Sequence, residues 1–119
     1  FTVNTPMQQG LAHFMQDPSP YLELPAFYQR KRDLFRRGLA STRFRLLPCE
    51  GTYFQLADYS AISSLPEDAF ARWLTEDVGV AAIPLSAFYR EPLERGIVRF
   101  CFAKKDETLQ LALERLGRL

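Results

Sequence analysis

Histidine and cysteine are scarce in this sequence, and their scarcity excludes several kinds of catalytic site. The 119 residues include one histidine, His13, and two cysteines, Cys49 and Cys101. Metal centres built from several His and Cys side chains are therefore excluded, and we expect no metal ligands. Two cysteines make no disulfide framework, so we expect free thiols in a reducing compartment and a cytoplasmic protein.

The sequence also lacks the local patterns that accompany phosphate binding, nucleophilic catalysis and membrane insertion. Its six glycines are scattered rather than gathered in a phosphate-binding loop, and no Ser or Cys stands in a recognisable nucleophile motif. No apolar run approaches the roughly 18 to 20 residues of a membrane span. A net charge of +1 gives no reason to expect nucleic acid or an anionic membrane as a partner.

What is present is the composition of an ordinary globular domain. Hydrophobic residues make up 47% of the chain and charged residues 24%, and we expect a single domain over residues 1–119. The first residues are already apolar at Phe1, Val3 and Met7, with no polar tail and no signal-peptide pattern. We therefore expect the chain to be a piece of a longer protein.

Apolar periodicity and capping residues predict four helices. Pro6 is tolerated in a first helical turn, Ser64 and Glu67 match a capping box, and Asp106 can serve as a cap. The predicted helices run from Thr5 to Met15, from the break at 17–20 to about Leu39, from the Ser64 cap to Gly79, and from Asp106 towards the end of the chain.

Four short runs rich in apolar residues predict strands, and the first two are joined by a hairpin connection at 48–51. Strands and helices do not alternate regularly. This order favours an α/β (α+β) fold, a two-layer sandwich in which helices cover a small, mostly antiparallel sheet. The predicted strands are Phe44 to Leu47, Thr52 to Ala57, Val80 to Leu85 and Ile97 to Phe102.

A single arginine interrupts the last of these strands. Because strand side chains alternate between faces, Arg99 shares a face with Ile97 and Cys101. A guanidinium in such apolar surroundings needs an anionic partner, since a buried unpaired charge is costly. That partner is either an internal Asp or Glu or a ligand carboxylate, which the planar fork of Arg binds with two parallel bonds. The pattern alone favours the internal ion pair.

Four motifs occur in a set order and spacing: FTVNTPMQ at 1–8, LPCEGTYF at 47–54, AAIPLSAFY at 81–89 and VRFCFAKK at 98–105. Taken together they resemble the C-terminal part of class I/II, fold-type I aminotransferases, and among them the bacterial methionine and the kynurenine aminotransferases. The resemblance covers essentially the whole chain and implies the C-terminal small domain of such enzymes.

The resemblance implies a pyridoxal 5'-phosphate cofactor, amino acid and 2-oxo acid substrates, and a homodimer. Enzymes of this family hold the cofactor through a lysine that also moves the proton. The lysines here, Lys31, Lys104 and Lys105, do not stand in the family's Schiff-base context. We therefore expect no catalytic residue in this chain, no tight cofactor binding and no activity of the chain alone.

The resemblance also assigns candidate substrate-binding residues. Arg99 matches the arginine that binds the substrate α-carboxylate, and Tyr53 matches an aromatic position beside the substrate. Asn4, with Val3, matches a stretch that reaches the neighbouring subunit's site. Asn4 also stands where kynurenine-type relatives carry an aromatic residue or His, which favours methionine. Phe88, with Ser86, matches a loop near the cleft.

Two other interpretations stay open at this point. The chain could be a stand-alone amino-acid-binding or regulatory α/β module in which Arg99 holds a carboxylate without a cofactor. It could also be an interaction module in which Arg99 forms a structural ion pair. Asn4 has the simpler role of capping the helix that begins at Thr5, and Tyr53 that of an inward-facing sheet residue.

Overall fold

The computed structural model describes residues 3–91 and 95–119. Its helices are α1 (Thr5–Phe14), α2 (Ser19–Leu22), α3 (Leu24–Leu39), α4 (Glu67–Trp73) and α5 (Asp106–Leu116). Its strands are β1 (Arg45–Leu46), β2 (Phe54–Asp58), β3 (Ile83–Pro84) and β4 (Ile97–Cys101). A π-helical turn, Leu74–Val78, extends α4, and a 3₁₀ turn, Leu85–Phe88, follows β3.

The strands form one antiparallel sheet in the order β1-β2-β4-β3. Its central pair sets Leu56 opposite Arg99 and Ala57 opposite Val98, and β3 sets Ile83 opposite Arg99 on the other side. The chain therefore places Arg99 in the middle of the sheet, with a neighbouring strand on each side.

Aromatic residues fill the layer between the sheet and its helices. The Phe100 ring meets Phe35 of α3 at 5.8 Å and Phe44 at 5.6 Å between centroids, both edge-on. Phe70 of α4 stacks on Tyr59 at 3.7 Å and is fully buried. Each buried aromatic or aliphatic side chain contributes about 1.5–3 kcal/mol to folding. The predicted two-layer fold, a small antiparallel sheet with helices, is confirmed.

Three local predictions need correction. The helix assigned to a capping box at Ser64 begins only at Glu67, and Pro66 occupies the N-cap position without a side-chain hydrogen bond. Asp106 does not cap α5; it is the first helical residue and pairs with Lys31. The strand predicted over residues 80–85 shrinks to Ile83–Pro84, because residues 85–88 form a 3₁₀ turn.

The first helix lies outside this core. It is capped as its sequence allows, since the Asn4 side chain accepts a hydrogen bond from the Met7 amide at 3.4 Å. It buries no residue, and Met7, Leu11 and Phe14 remain more than half exposed. The radius of gyration, 17.8 Å, exceeds the roughly 13 to 14 Å expected for a compact domain of this length. The predicted extent of the domain, residues 1–119, stays a prediction.

Candidate functional site

Arg99 lies on the face of the sheet that the helices leave uncovered. Its neighbours Val98 and Phe100 are buried against the helices, whereas Arg99 and Cys101 are only half-buried. From Val98 to Cys101 this alternation follows the strand period of two, but Ile97, predicted on the same face as Arg99, is buried. The same strand thus carries a core side chain and a site side chain on successive residues.

Two aromatic rings hold the Arg99 guanidinium. Its Cζ lies 4.0 Å from the centroid of Phe54 and 4.4 Å from that of Phe88. Phe54 is on the neighbouring strand, diagonally across from Arg99, and Phe88 ends the 3₁₀ turn after β3. A cation near an aromatic face gains about 0.5–2 kcal/mol, depending on exposure. The rings fix the position of the guanidinium without neutralising its charge.

No carboxylate pairs with Arg99 among residues 3–91 and 95–119. The three ion pairs in that part of the chain join Lys31 to Asp106, Arg32 to Asp33 and Arg45 to Asp58. The Arg99 Nε atom is buried and has no hydrogen-bond partner there. An N–H group left in this condition costs about 1–3 kcal/mol. The position is thus set up for an anion that the described chain does not supply.

The guanidinium borders a groove of about 190 Å³. This volume is below the roughly 300–1,000 Å³ of a complete small-molecule site. The groove is therefore too small to enclose a whole small-molecule ligand. The groove is lined by Phe54, Ala81, Ala82, Ile83, Arg99, Cys101 and Lys104.

A buried carboxylate binds the backbone of the two segments that carry Phe88 and Arg99. Glu67, at the start of α4, is fully buried, and its two oxygens face different segments. Oε2 accepts from the Ser86 amide at 2.6 Å, and Oε1 accepts from the Arg95 and Ile97 amides, both at 3.0 Å. Burial by itself would raise the pKa of Glu67, but the Ile97, Ser86 and Arg95 donors outweigh it and lower that pKa below its ordinary value.

A second carboxylate, Asp58, lies at the end of β2. Its Oδ1 accepts from the Ser60 amide at 2.7 Å, and its Oδ2 pairs with Arg45. Burial opposes the charged form, yet the Ser60 and Arg45 contacts together lower the pKa of Asp58 below its ordinary value. Both carboxylates are therefore charged and satisfied near neutral pH.

The structure brings Phe88 to Arg99 but places the other two candidates elsewhere. Tyr53 does not line the Arg99 groove; its ring lies 6.0 Å from that of Tyr28 on α3 and lines a separate groove on that side. Asn4 caps α1, outside the core. Its assignment to a neighbouring subunit's site stays a prediction, as do the substrate-binding roles of all four candidates, Arg99, Tyr53, Asn4 and Phe88.

Two residues of the site were missed by sequence reasoning. Phe54 could have been found from the strand alternation, since residues 54 and 56 share the face that meets Arg99 once the β2–β4 register is known. Glu67 gave a misleading signal, because Ser64-x-x-Glu67 is also the pattern of a capping box. Its partners lie 19 to 30 residues away, beyond the reach of a local motif.

The comparisons with known proteins place this architecture in a family. The sequence model described as "Aminotransferase class I and II" matches residues 1–116. The chain is 52% identical to the methionine aminotransferase of Escherichia coli over its whole length, which covers 31% of that protein. It is 35% identical to the rat kynurenine–oxoglutarate transaminase 1, over 89% of the chain and 28% of the relative.

Solved structures agree with this assignment. The Escherichia coli methionine aminotransferase superposes with a TM-score of 0.93 over 99% of this chain and 32% of its own, at 51% identity. The N-succinyldiaminopimelate aminotransferase of Mycobacterium tuberculosis gives 0.85 over 98% of this chain and 31% of its own, at 33% identity. The fold is therefore that of a fold-type I aminotransferase small domain. The chain belongs to the class I and II aminotransferase family, and it spans about a third of the length of these relatives.

Enzymes of this family use pyridoxal phosphate, which they hold through a lysine. Lys104 and Lys105 are exposed, and the Lys31 amine lies 2.7 Å from Asp106. The Lys31 side chain is only 13% exposed, but its amine is taken up by this ion pair. The part of the chain that the structure describes also holds no group of three possible metal ligands, and none of its helices is long and apolar enough to cross a membrane.

Proposed function

We propose that this chain supplies the substrate-carboxylate site of a pyridoxal-phosphate-dependent aminotransferase, which moves an amino group from an amino acid to a 2-oxo acid. The observation that carries the proposal is the state of Arg99. Its guanidinium is fixed by Phe54 and Phe88, its Nε is buried without a partner in the described chain, and it borders a groove.

The chemistry of the arginine selects the ligand class. A guanidinium presents two parallel N–H groups that match the two oxygens of a carboxylate, and charge-assisted bonds of this kind contribute about 1.5–3 kcal/mol each. An amino acid and its 2-oxo acid share this carboxylate, so one arginine serves both half-reactions. The small groove volume supports a role limited to this end of the substrate.

Methionine is the first amino donor to test. The support is the methionine aminotransferase activity of the Escherichia coli relative, at 52% identity, and the polar Asn4 at a position where the resemblance associates an aromatic residue or His with kynurenine. The same proposal places the cofactor lysine outside these 119 residues and a homodimer around the site. The free cysteines, Cys49 and Cys101, support a cytoplasmic enzyme.

Ligand titration of the chain followed by NMR tests the carboxylate site directly. L-methionine is expected to shift the Arg99 Nε–H resonance, whereas L-methioninol, which lacks the carboxylate, is expected to leave it unchanged. Arg99→Lys should weaken binding roughly tenfold or more, because a point charge replaces a planar fork. The matched control Arg118→Lys changes an exposed arginine and should have no effect. Equal shifts with both ligands would contradict the proposal.

A hybrid enzyme tests the reaction. In it, this chain replaces the matching 31% of the Escherichia coli methionine aminotransferase. We expect the hybrid to transaminate methionine and Arg99→Lys to lower its kcat/KM roughly 100-fold, as loss of one of the two charged hydrogen bonds predicts. The chain alone should show no activity with the cofactor. A folded hybrid that is inactive, beside a free chain that binds methionine, would favour the stand-alone binding module instead.

A further inference from the structure

Glu67 connects the two segments that build the Arg99 site. Its Oε2 accepts the amide of Ser86, in the 3₁₀ turn that ends at Phe88. Its Oε1 accepts the amides of Arg95 and Ile97, where the chain enters the strand that carries Arg99. Oε2 therefore binds the turn that carries Phe88, and Oε1 binds the start of the strand that carries Arg99.

We propose that Glu67 is a positioning residue of the carboxylate site, which holds the Phe88 turn against the β4 strand so that the Phe88 ring stays on the Arg99 guanidinium. The final step, from this geometry to substrate affinity, rests on the proposed function. The geometric step does not, because it concerns only the contact between Phe88 and Arg99 within the chain.

The cost of burying Glu67 supports a specific role. The side chain is fully buried, and a buried charge is tolerated only where hydrogen bonds satisfy it. Three backbone amides do so here, and two of them lie at positions 95 and 97, within four residues of Arg99. An apolar residue would fill the same space without this cost but could not join the turn to the strand.

Glutamine is the informative substitution because it keeps the shape and removes one acceptor. In Glu67→Gln, one of the two segments would face an NH₂ group, which is a donor opposite a donor. Either the Phe88 turn or the start of β4 then loses its hydrogen bond to the side chain of residue 67. We expect amide hydrogen exchange at Ser86 or Ile97 to rise roughly 10- to 100-fold, as the loss of one charged hydrogen bond predicts.

NMR of the 119-residue chain gives the decisive readout. The Phe54 and Phe88 rings impose ring-current shifts on the Arg99 side chain, and Phe88→Ala defines the shift that is lost when its ring is absent. In Glu67→Gln we expect the Arg99 Nε–H resonance to move towards its Phe88→Ala position. L-methionine affinity should fall in parallel, several-fold. Kinetics of the hybrid enzyme should show a raised KM with a smaller change in kcat.

Two controls separate positioning from general stability. Asp68→Asn removes the same charge from the same first turn of α4, but Asp68 is exposed, so the Arg99 resonance should not move. Leu116→Ala opens a cavity under α5 and should lower stability by more than Glu67→Gln while leaving that resonance in place. If Leu116→Ala shifts the resonance as much as Glu67→Gln does, the role is only structural and the proposal is wrong.

The remaining outcomes also decide the matter. A folded Glu67→Gln chain whose Arg99 resonance stays unchanged overturns the proposal. If that variant does not fold, Glu67→Asp keeps the charge and both oxygens on a side chain one methylene shorter. It should then give a partial shift, and an unchanged resonance would again overturn the inference. Should a folded hybrid enzyme fail to transaminate methionine, the proposed function fails while the ring-current experiment still tests the positioning of Phe88.

Discussion

The two faces of this sheet are built from the same strands but differ in burial and in the pairing of their polar groups. On one face, Val98 and Phe100 are fully or almost fully buried against helices. On the other, Arg99 and Cys101 are half-buried beside a groove. One face has its interactions complete within the chain, whereas the other holds a charged group whose partner the described chain does not contain. The difference separates the residues that stabilise the fold from the residue to which we assign ligand binding.

The largest expected effect comes from the helix-covered face. Phe100→Ala removes a ring that contacts both Phe35 and Phe44, and should lower the free energy of unfolding by about 3–5 kcal/mol. Its neighbour on the open face provides the control. Cys101→Ala should cost less than about 1.5 kcal/mol, because its side chain is small and half-buried. Urea denaturation measures both values, and similar losses from the two would remove the distinction between the faces.

Two arginines, one on each side of the sheet, sharpen the comparison. Arg36 of α3 donates from Nη1 to the Leu47 carbonyl and the Gln55 side chain, so this nitrogen has hydrogen-bond acceptors within the chain. Arg36→Met should lower the free energy of unfolding by about 1–3 kcal/mol, since Gln55 is buried and would lose a donor. Arg99→Met should leave it unchanged or slightly higher, because a guanidinium with an unpartnered Nε is replaced by an apolar chain.

The binding assay completes this test. Arg99→Met should abolish the L-methionine shifts, whereas Arg36→Met should keep them at temperatures where the variant is folded. A stability loss in Arg99→Met as large as in Arg36→Met would indicate that Arg99 has a structural partner. That result would favour the interaction module considered from the sequence.

Acid should act through the two buried carboxylates. The pKa values of Glu67 and Asp58 lie below their ordinary values in the folded chain, so both groups stabilise the fold at neutral pH. This contribution is present above their unfolded pKa values and is lost as pH falls through the folded ones, below about pH 5. The free energy of unfolding, followed by urea titration at several pH values, should therefore fall more steeply in the wild type than in the double variant Asp58→Asn/Glu67→Gln. Parallel curves would argue against this linkage.

The sequence predicts the alternation of the faces better than it predicts the site's neighbours. Arg99 could be separated from Val98 and Phe100 by the strand period alone, and the helical periods gave most of α1, α3 and α5. Glu67 could not be placed, because its hydrogen bonds join segments that are distant in sequence. The strand predicted over 80–85 was too long, since its apolar residues fit a 3₁₀ turn as well as a strand.

The smallest expected effect concerns which aromatic residue contacts the Arg99 guanidinium. The resemblance names Tyr53, but in the structure Phe54 lies 4.0 Å from the guanidinium and Tyr53 lines another groove. Phe54→Leu removes one cation–π contact of about 0.5–2 kcal/mol and should weaken L-methionine binding roughly 2- to 30-fold. Tyr53→Leu is the matched control, one residue away and on the side of α3, and should change the affinity less. The reverse order in the titration would assign the aromatic role to Tyr53 instead of Phe54.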